Sequence, residues 1–371
     1  MSKRFNDIYM HVQYVSIIYK KVSYSFYTIL QGGIEMKKMR NSMLFIMMLA
    51  FVMVIAACGG GSDTGSTSEE NEGTNETENT EESQDLSLLT GGTGGTYYPL
   101  GGQIGKVMTD NTNANITPQT SGASAENMET LRAGEAELAF TQTDIAAYAI
   151  DGKEMFDGNP IDNIQAIGSL YPETIQLVTT KDSGIESVED LKGKAVSVGA
   201  PGSGAYINAM QVLEVHGLTD KDIKPQNLSF DESTDGIQAG TIDAAFITAG
   251  TPTGAVEALS AQEDLVIVSL EEDMVSALIE KYPYYAKDTI ATGTYGIEAD
   301  VNTVAVKAML VVTDDQSEDL VYEMTKAMFE NTDKITHAKG ELITPESALE
   351  GIGDLEIHPG AAKYYEEKGL Q

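Results

Sequence analysis

Glycines, hydroxyls and amides, rather than thiols or imidazoles, are the groups whose spacing in this sequence points to chemistry. The densest set is Gly91-Gly92-Thr93-Gly94-Gly95-Thr96-Tyr97-Tyr98-Pro99-Leu100-Gly101-Gly102, after an apolar stretch at 86–89 and before a segment of helical spacing at 103–108. Strand, glycine loop and helix in that order gather unblocked N–H groups at a helix N-terminus, where negative charge is favoured. The loop has no Gly-Lys-Ser/Thr ending and misses the G-x-G-x-x-G spacing, which argues against a nucleotide cradle. A second loop, Gly199-Ala200-Pro201-Gly202-Ser203-Gly204, follows the strand-like residues 195–198.

The two loops head units that echo each other. The first unit runs through Ser121-Gly122-Ala123-Ser124-Ala125-Glu126-Asn127 to Ala139-Phe140, the second to Ala245-Phe246. Gly94 to Phe140 is 46 positions and Gly202 to Phe246 is 44. Strand-like and helix-like segments alternate from residue 86 onward, the pattern of an α/β fold with mostly parallel sheet. Each unit sets a helix N-terminus and a strand end on one sheet edge, where open α/β sheets bind ligands. Residues 168–179 read as a strand crossing between lobes, and 302–306 and 309–313 as the return. The expected layout is lobe 1 from 86–174 and 303–371, and lobe 2 from 175–302, with the paired crossovers as hinge.

The front of the chain reads differently. Lys37, Lys38 and Arg40 precede an apolar run at 43–55, too short to span a bilayer, then Ala56-Ala57-Cys58. Ile55-Ala56-Ala57-Cys58 resembles the lipobox of bacterial lipoproteins. The expectation is a signal peptide at 36–57 and lipidation of Cys58, the only cysteine, which also excludes an internal disulfide. Residues 1–35 are tyrosine-rich and nearly free of acid. With Gly32-Gly33 just before Met36, they read as upstream sequence, translation starting at Met36. Residues 58–85, built of Gly, Ser, Thr, Asn and Glu, read as a disordered acidic tether.

The chain carries 23 basic and 57 acidic residues, a net charge of −34. Past Ala57 there remain 16 basic and 55 acidic residues, a net of −39. Nucleic acid and anionic lipid are thereby argued against as partners. Such a surface suits both plain solubility and a saline or alkaline habitat. Arg132 is the only arginine past the signal segment, an exposed cation near a helix end, so no guanidinium cluster exists to clamp a carboxylate.

An enzyme reading finds little. His216, His337 and His358 have no serine and carboxylate at recognisable spacing, and His337 and His358 read as surface residues. Gly202-Ser203-Gly204 is too short for a Gly-x-Ser-x-Gly elbow. No Cys/His group has metal-ligand spacing, and no cofactor is expected.

The glycine run from Gly91 to Gly102 resembles the opening motif of the TAXI family, the solute-binding proteins of TRAP transporters. The resemblance continues through Ser121 to Asn127, Ala139-Phe140-Thr141-Gln142-Thr143-Asp144, Leu170-Tyr171-Pro172-Glu173, Gly199 to Gly204 and Ala244-Ala245-Phe246-Ile247-Thr248-Ala249-Gly250-Thr251-Pro252. It implies a two-lobed periplasmic-binding-protein fold of type II, closing on a small organic anion or amino acid. Glutamate-like solutes and dicarboxylates head the list. The partner it implies is a membrane permease driven by an ion gradient, and the receptor is expected to be an extracytoplasmic monomer held to the outer face of the cell membrane by its lipid. Its family lacks an arginine clamp, which agrees with the arginine count. Thr248-Ala249-Gly250 departs from the family pattern and leaves the solute open.

The expected ligand set follows the two loops. Thr93, Gly94, Gly95 and Thr96 offer N–H groups and hydroxyls, and Tyr97 or Tyr98 a phenol. Ser121, Ser124 and Asn127 either cap a helix or reach the ligand. Gln142 ends a strand facing the cleft, Gly202, Ser203 and Gly204 offer the second helix N-terminus, and Thr248 and Gly250 close the far side. Asp144 either receives an amino group or caps the helix at 145–150. Tyr282-Pro283-Tyr284-Tyr285 either packs beneath a loop or lines a docking surface. The alternatives to a TRAP receptor are the binding protein of an ABC-type importer on the same scaffold, a surface hydrolase, or a structural surface antigen.

Overall fold

The computed structural model describes residues 83–371, and the expected signal peptide, the Cys58 anchor and residues 1–35 lie outside the described residues. Ten strands form one sheet, eight along a single pairing path and two, Leu265–Val268 and Ala286–Ile290, paired to it from the side, in two halves that meet at the strand Ile164–Thr180. In the first half, β1 (Gln84–Leu89), β2 (Ala114–Gln119) and β3 (Leu138–Gln142) pair in parallel as β2-β1-β3. The antiparallel β10 (Val301–Thr313) then joins β3, and β4 (Ile164–Thr180) closes the half.

The second half repeats this order. β5 (Ala195–Ser197), β6 (Lys224–Gln226) and β7 (Ala244–Ala249) pair in parallel as β6-β5-β7. The antiparallel β4 joins β7, and β8 (Leu265–Val268) closes it, while β9 (Ala286–Ile290) pairs with the start of β10. An antiparallel strand borrowed from the other half, inserted beside the third parallel strand, occurs in both. The protein is a two-lobed α/β fold of the periplasmic-binding-protein type, with β4 and β10 as the two-strand hinge. The return is one continuous strand, not the two segments that the sequence suggests.

Each lobe's sheet is covered on both faces. In lobe 1, α1 (Tyr97–Asn111), α8 (Glu318–Glu330) and α9 (Pro359–Glu367) build one core with Leu88, Ile104, Met324 and Tyr364. α2 (Ser124–Arg132) and α3 (Thr143–Asp151) build the other with Met128, Ile145 and Met309. In lobe 2, α4 (Gly204–Val215) and α7 (Glu272–Lys281) cover one face, and α5 (Phe230–Gln238) and α6 (Gly254–Ser260) the other.

Several local expectations are corrected. β1 begins at Gln84 rather than residue 86, inside the expected tether, and Asn115 donates to Asp85 at 2.9 Å. α1 begins at Tyr97, so Gly101 and Gly102 are helical rather than part of the loop. Gly101 is needed for packing: a Cβ there would lie 2.8 Å from Thr90 Cγ2 and 3.0 Å from Phe140 Cε2. Gly101→Val should therefore destabilise the protein by about 1–3 kcal/mol, the cost of overpacking a filled interface, read from urea unfolding midpoints. His358 is buried and caps α9, accepting from the Gly360 N–H at 3.2 Å.

Candidate functional site

Both glycine loops deliver a helix N-terminus to one cavity between the lobes. It is small, about 40 Å³, and is lined from lobe 1 by Gly91, Gly92, Gly95, Thr96, Tyr97, Ala123 and Gln142. Lobe 2 supplies Ser203, Gly204, Ala205, Phe230, Thr248 and Ala249, and the hinge supplies Glu173. The first turns of α1 and α4 carry N–H groups that a helix leaves without internal partners. Two buried polar atoms on the wall, Gln142 Oε1 and Thr248 Oγ1, have no hydrogen-bond partner. Buried polar atoms are nearly always paired, so both retain the capacity for a further hydrogen bond.

Of the expected residues, Gly95, Thr96, Tyr97, Gln142, Ser203, Gly204 and Thr248 line the cavity. The others stand behind it or at its rim. Thr93 Oγ1 donates to Asp231 Oδ2 across the lobes at 2.9 Å, and the Gly94 carbonyl accepts from the Ala255 N–H at 3.0 Å. Tyr98 is exposed. Asn127 donates from Nδ2 to the Thr90 and Phe140 carbonyls, both at 2.7 Å, and its Oδ1 accepts from Ser121 at 2.6 Å. Ser121 and Asn127 therefore brace the glycine loop against β3 and do not reach into the cavity.

Ser124 is buried and bonds the Tyr97 phenol. The Gly202 carbonyl accepts from the Ala125 and Glu126 N–H groups, at 3.0 and 3.1 Å, so the α2 N-terminus is spent on the opposite lobe. Thr96 Oγ1 donates to the Gly250 carbonyl at 3.2 Å. Ser203 caps α4, its Oγ accepting from the Tyr206 N–H at 3.2 Å. Asp144 lies inside α3 and does not cap it.

Glu173 is the site residue that spacing alone did not single out. It sits on β4 opposite Val306 of β10 and is 2 % exposed. Tyr97 donates to its Oε2 at 2.6 Å and Tyr171 to its Oε1 at 3.3 Å. Burial pushes its carboxyl up to about 8, against the opposing pull of the Tyr97, Gln142 and Tyr171 hydrogen bonds. Burial, with the Glu173 charge, raises Tyr97 and Tyr171 well above the usual phenol range. The available signal was a lone acid inside the apolar crossover run, since a glutamate is rarely buried unless paired.

No lysine, arginine or histidine lines the cavity among the described residues. Lys339 stands behind Gly250, where a Cβ would meet its Cε at 2.8 Å. Burial lowers the Lys339 amine from its ordinary value, while Asp288 and Glu173 pull it back up. Among the described residues there is no cluster of His, Cys, Asp and Glu able to hold a metal ion, and no helix long and apolar enough to cross a membrane.

The chain is similar in structure to a protein of Bordetella bronchiseptica RB50, at 17% identity over 78% of this chain and 82% of that one, with a TM-score of 0.48. It is also similar to an alkanesulfonate-binding protein of Xanthomonas axonopodis pv. citri, bound to MOPS, at 16% identity over 76% and 82% of the two chains, TM-score 0.42. The binding protein component of an ABC phosphonate transporter from Pseudomonas aeruginosa shares 13% identity over 78% and 96%, TM-score 0.47. At these scores the likeness adds nothing to what the strand order establishes. Residues 88–369, well over half of the chain, match the model of the NMT1-like family, and the chain belongs to that family.

Proposed function

We propose that this protein is an extracytoplasmic solute receptor of TRAP (TAXI) type, anchored through Cys58, that closes on one small solute and hands it to an ion-gradient-driven permease. One observation carries the reading. Two helix N-termini from opposite lobes meet at a cavity whose buried Gln142 Oε1 and Thr248 Oγ1 lack partners. Helix N-termini hold an anionic group without a basic side chain. Glu173 and Gln142 Oε1 offer acceptors on the facing wall. A solute with one carboxylate and one amino group fits that polarity better than a dicarboxylate, because the far wall offers acceptors for an amino group and, among the described residues, no basic side chain for a second carboxylate.

A thermal-shift screen of the full chain against amino acids, dicarboxylates and sugar acids tests this. A ligand that binds only the folded state raises the melting temperature by mass action. An amino acid should give the largest rise. No rise with any class, or turnover of the solute, overturns the receptor reading. Driving uptake with an ion gradient or with ATP, in vesicles carrying the permease, separates the TRAP receptor from an ABC-type one.

Thr248→Val gives a second check. It removes an unpaired buried hydroxyl, so unliganded stability should hold or rise by up to about 1 kcal/mol. Affinity for the hit solute should fall about tenfold, as calorimetry would show, because a hydrogen bond made only to the ligand is lost.

A further inference from the structure

A buried polar contact joins the lobes beside the cavity, and two of its oxygens have no donor. Asp144, on α3 of lobe 1, is 0% exposed, and its Oδ2 accepts from Asn208 Nδ2 on α4 of lobe 2 at 2.9 Å. The other Asn208 amide hydrogen goes to the Tyr285 oxygen at 2.8 Å. Tyr285 donates its own hydrogen to Gln211 Oε1 at 2.5 Å, and Gln211 Nε2 donates to the Tyr148 oxygen at 2.9 Å. Asp144 Oδ1 and Asn208 Oδ1, the two remaining oxygens of the joined pair, have no partner.

Turning both amides over does not repair this. It would set the Asn208 carbonyl oxygen against Asp144 Oδ2, acceptor facing acceptor. With the amides so turned, a proton on Asp144 Oδ2 supplies the donor that the 2.9 Å contact then needs. The ionisable groups around Asp144 are Tyr148 on its own helix, Tyr284 and Tyr285 ahead of β9, and Glu173 on β4, none of them a cation. From β10, the Lys307 amine is spent on Glu350.

We propose that Asp144 is a proton-binding site at the lobe interface, and that its proton, shared with Asn208, is needed for the lobes to stay closed. The site depends on the two-lobed geometry and not on the identity of the solute. Burial pushes the Asp144 carboxyl from its ordinary 3.8 up to about 6, against its hydrogen bonds from Asn208 and the backbone. A raised value means that the proton's contribution to closure is complete below the ordinary value and is lost as pH rises through about 6.

Hydrogen exchange in the full chain reads closure directly at the Ala125 and Glu126 amides, which donate to the Gly202 carbonyl across the lobes. Corrected for intrinsic rates, their protection should fall about tenfold between pH 5 and pH 8, the interval from pH 5 to the raised value near 6 acting at tenfold per pH unit. Asp144→Asn, which carries a permanent donor, should remain protected across that range. Asn208→Ala should weaken protection already at pH 5 and serves if the first variant does not fold. Glu173→Gln should keep the transition near pH 6, separating Asp144 from the second buried acid. Infrared spectra of the wild type at pH 5 should show a protonated carboxyl band that Asp144→Asn lacks. An unchanged slope in Asp144→Asn, amides unprotected at pH 5, or protection that follows sodium rather than pH would overturn the proposal.

Discussion

Gly204→Val should abolish solute capture while leaving the melting temperature of the unliganded protein within a few degrees of wild type. A Cβ at Gly204 would lie 1.7 Å from Gln142 Oε1, 2.5 Å from its Cδ and 3.0 Å from Ile145 Cγ1. Gly204 belongs to lobe 2, and Gln142 and Ile145 to lobe 1, so the clash exists only when the lobes meet. Gly204 is not among the glycines with positive φ, so valine strains no backbone in the separated lobes. Apparent affinity scales with the fraction of molecules able to reach the competent state. Affinity for the hit of the solute screen should therefore drop at least about a hundredfold by calorimetry, equivalent to about 2.7 kcal/mol. Small-angle scattering should show the variant staying open at saturating solute. Wild-type affinity in this variant would mean that capture does not bring α4 onto Gln142.

The second large effect is a loss of stability with rising pH, centred on Glu173. Its carboxyl stands at about 8 against an ordinary 4.5. A group raised in the folded state contributes its full share below its unfolded value, and that share is lost as pH rises through the folded value. At about 1.4 kcal/mol per pH unit, the wild type should lose roughly 3–5 kcal/mol between pH 5 and pH 9. Urea unfolding at fixed pH values measures this. Asp144, held near 6, has given up most of its share by pH 7, so the window from pH 7 to pH 9 isolates Glu173. Glu173→Gln keeps a neutral side chain against Tyr97 and Tyr171 and should flatten the curve in that window. A wild-type curve flat from pH 7 to pH 9 would mean that the carboxyl ionises without cost.

The halves, the loops and the hinge were readable because each rests on a local pattern. Glycine after an apolar run marks a strand-to-helix turn, and the repeat from Gly94 to Phe140 and Gly202 to Phe246 is matched by strand orders that are the same in both lobes. Gln142, Ser203 and Thr248 were readable as strand-end and helix-start residues of those units. Ser121, Asn127 and Gly202 look the same in sequence but serve other partners. Their roles depend on which carbonyl or N–H the opposite element presents, which spacing does not encode. The start of α1 was misplaced because Gly101 reads as a loop residue until Thr90 and Phe140 are seen pressed against it. Glu173 was hidden, and Asp144 was readable only as an amino-group acceptor or a cap, for a similar reason. Their importance comes from burial without a cation, a property of the surroundings rather than of the motif.

The borrowed strands also bear on how the molecule comes apart. β10 lies between β3 and β4 in lobe 1, and β4 lies between β7 and β8 in lobe 2. Neither lobe owns all the strands of its own sheet. Loss of one lobe withdraws a central strand from the other, so the halves are not separable modules. Heating should give one cooperative transition with equal calorimetric and van't Hoff enthalpies, and a fragment ending before Val301 should fail to assemble lobe 1, although it retains all three of that lobe's parallel strands.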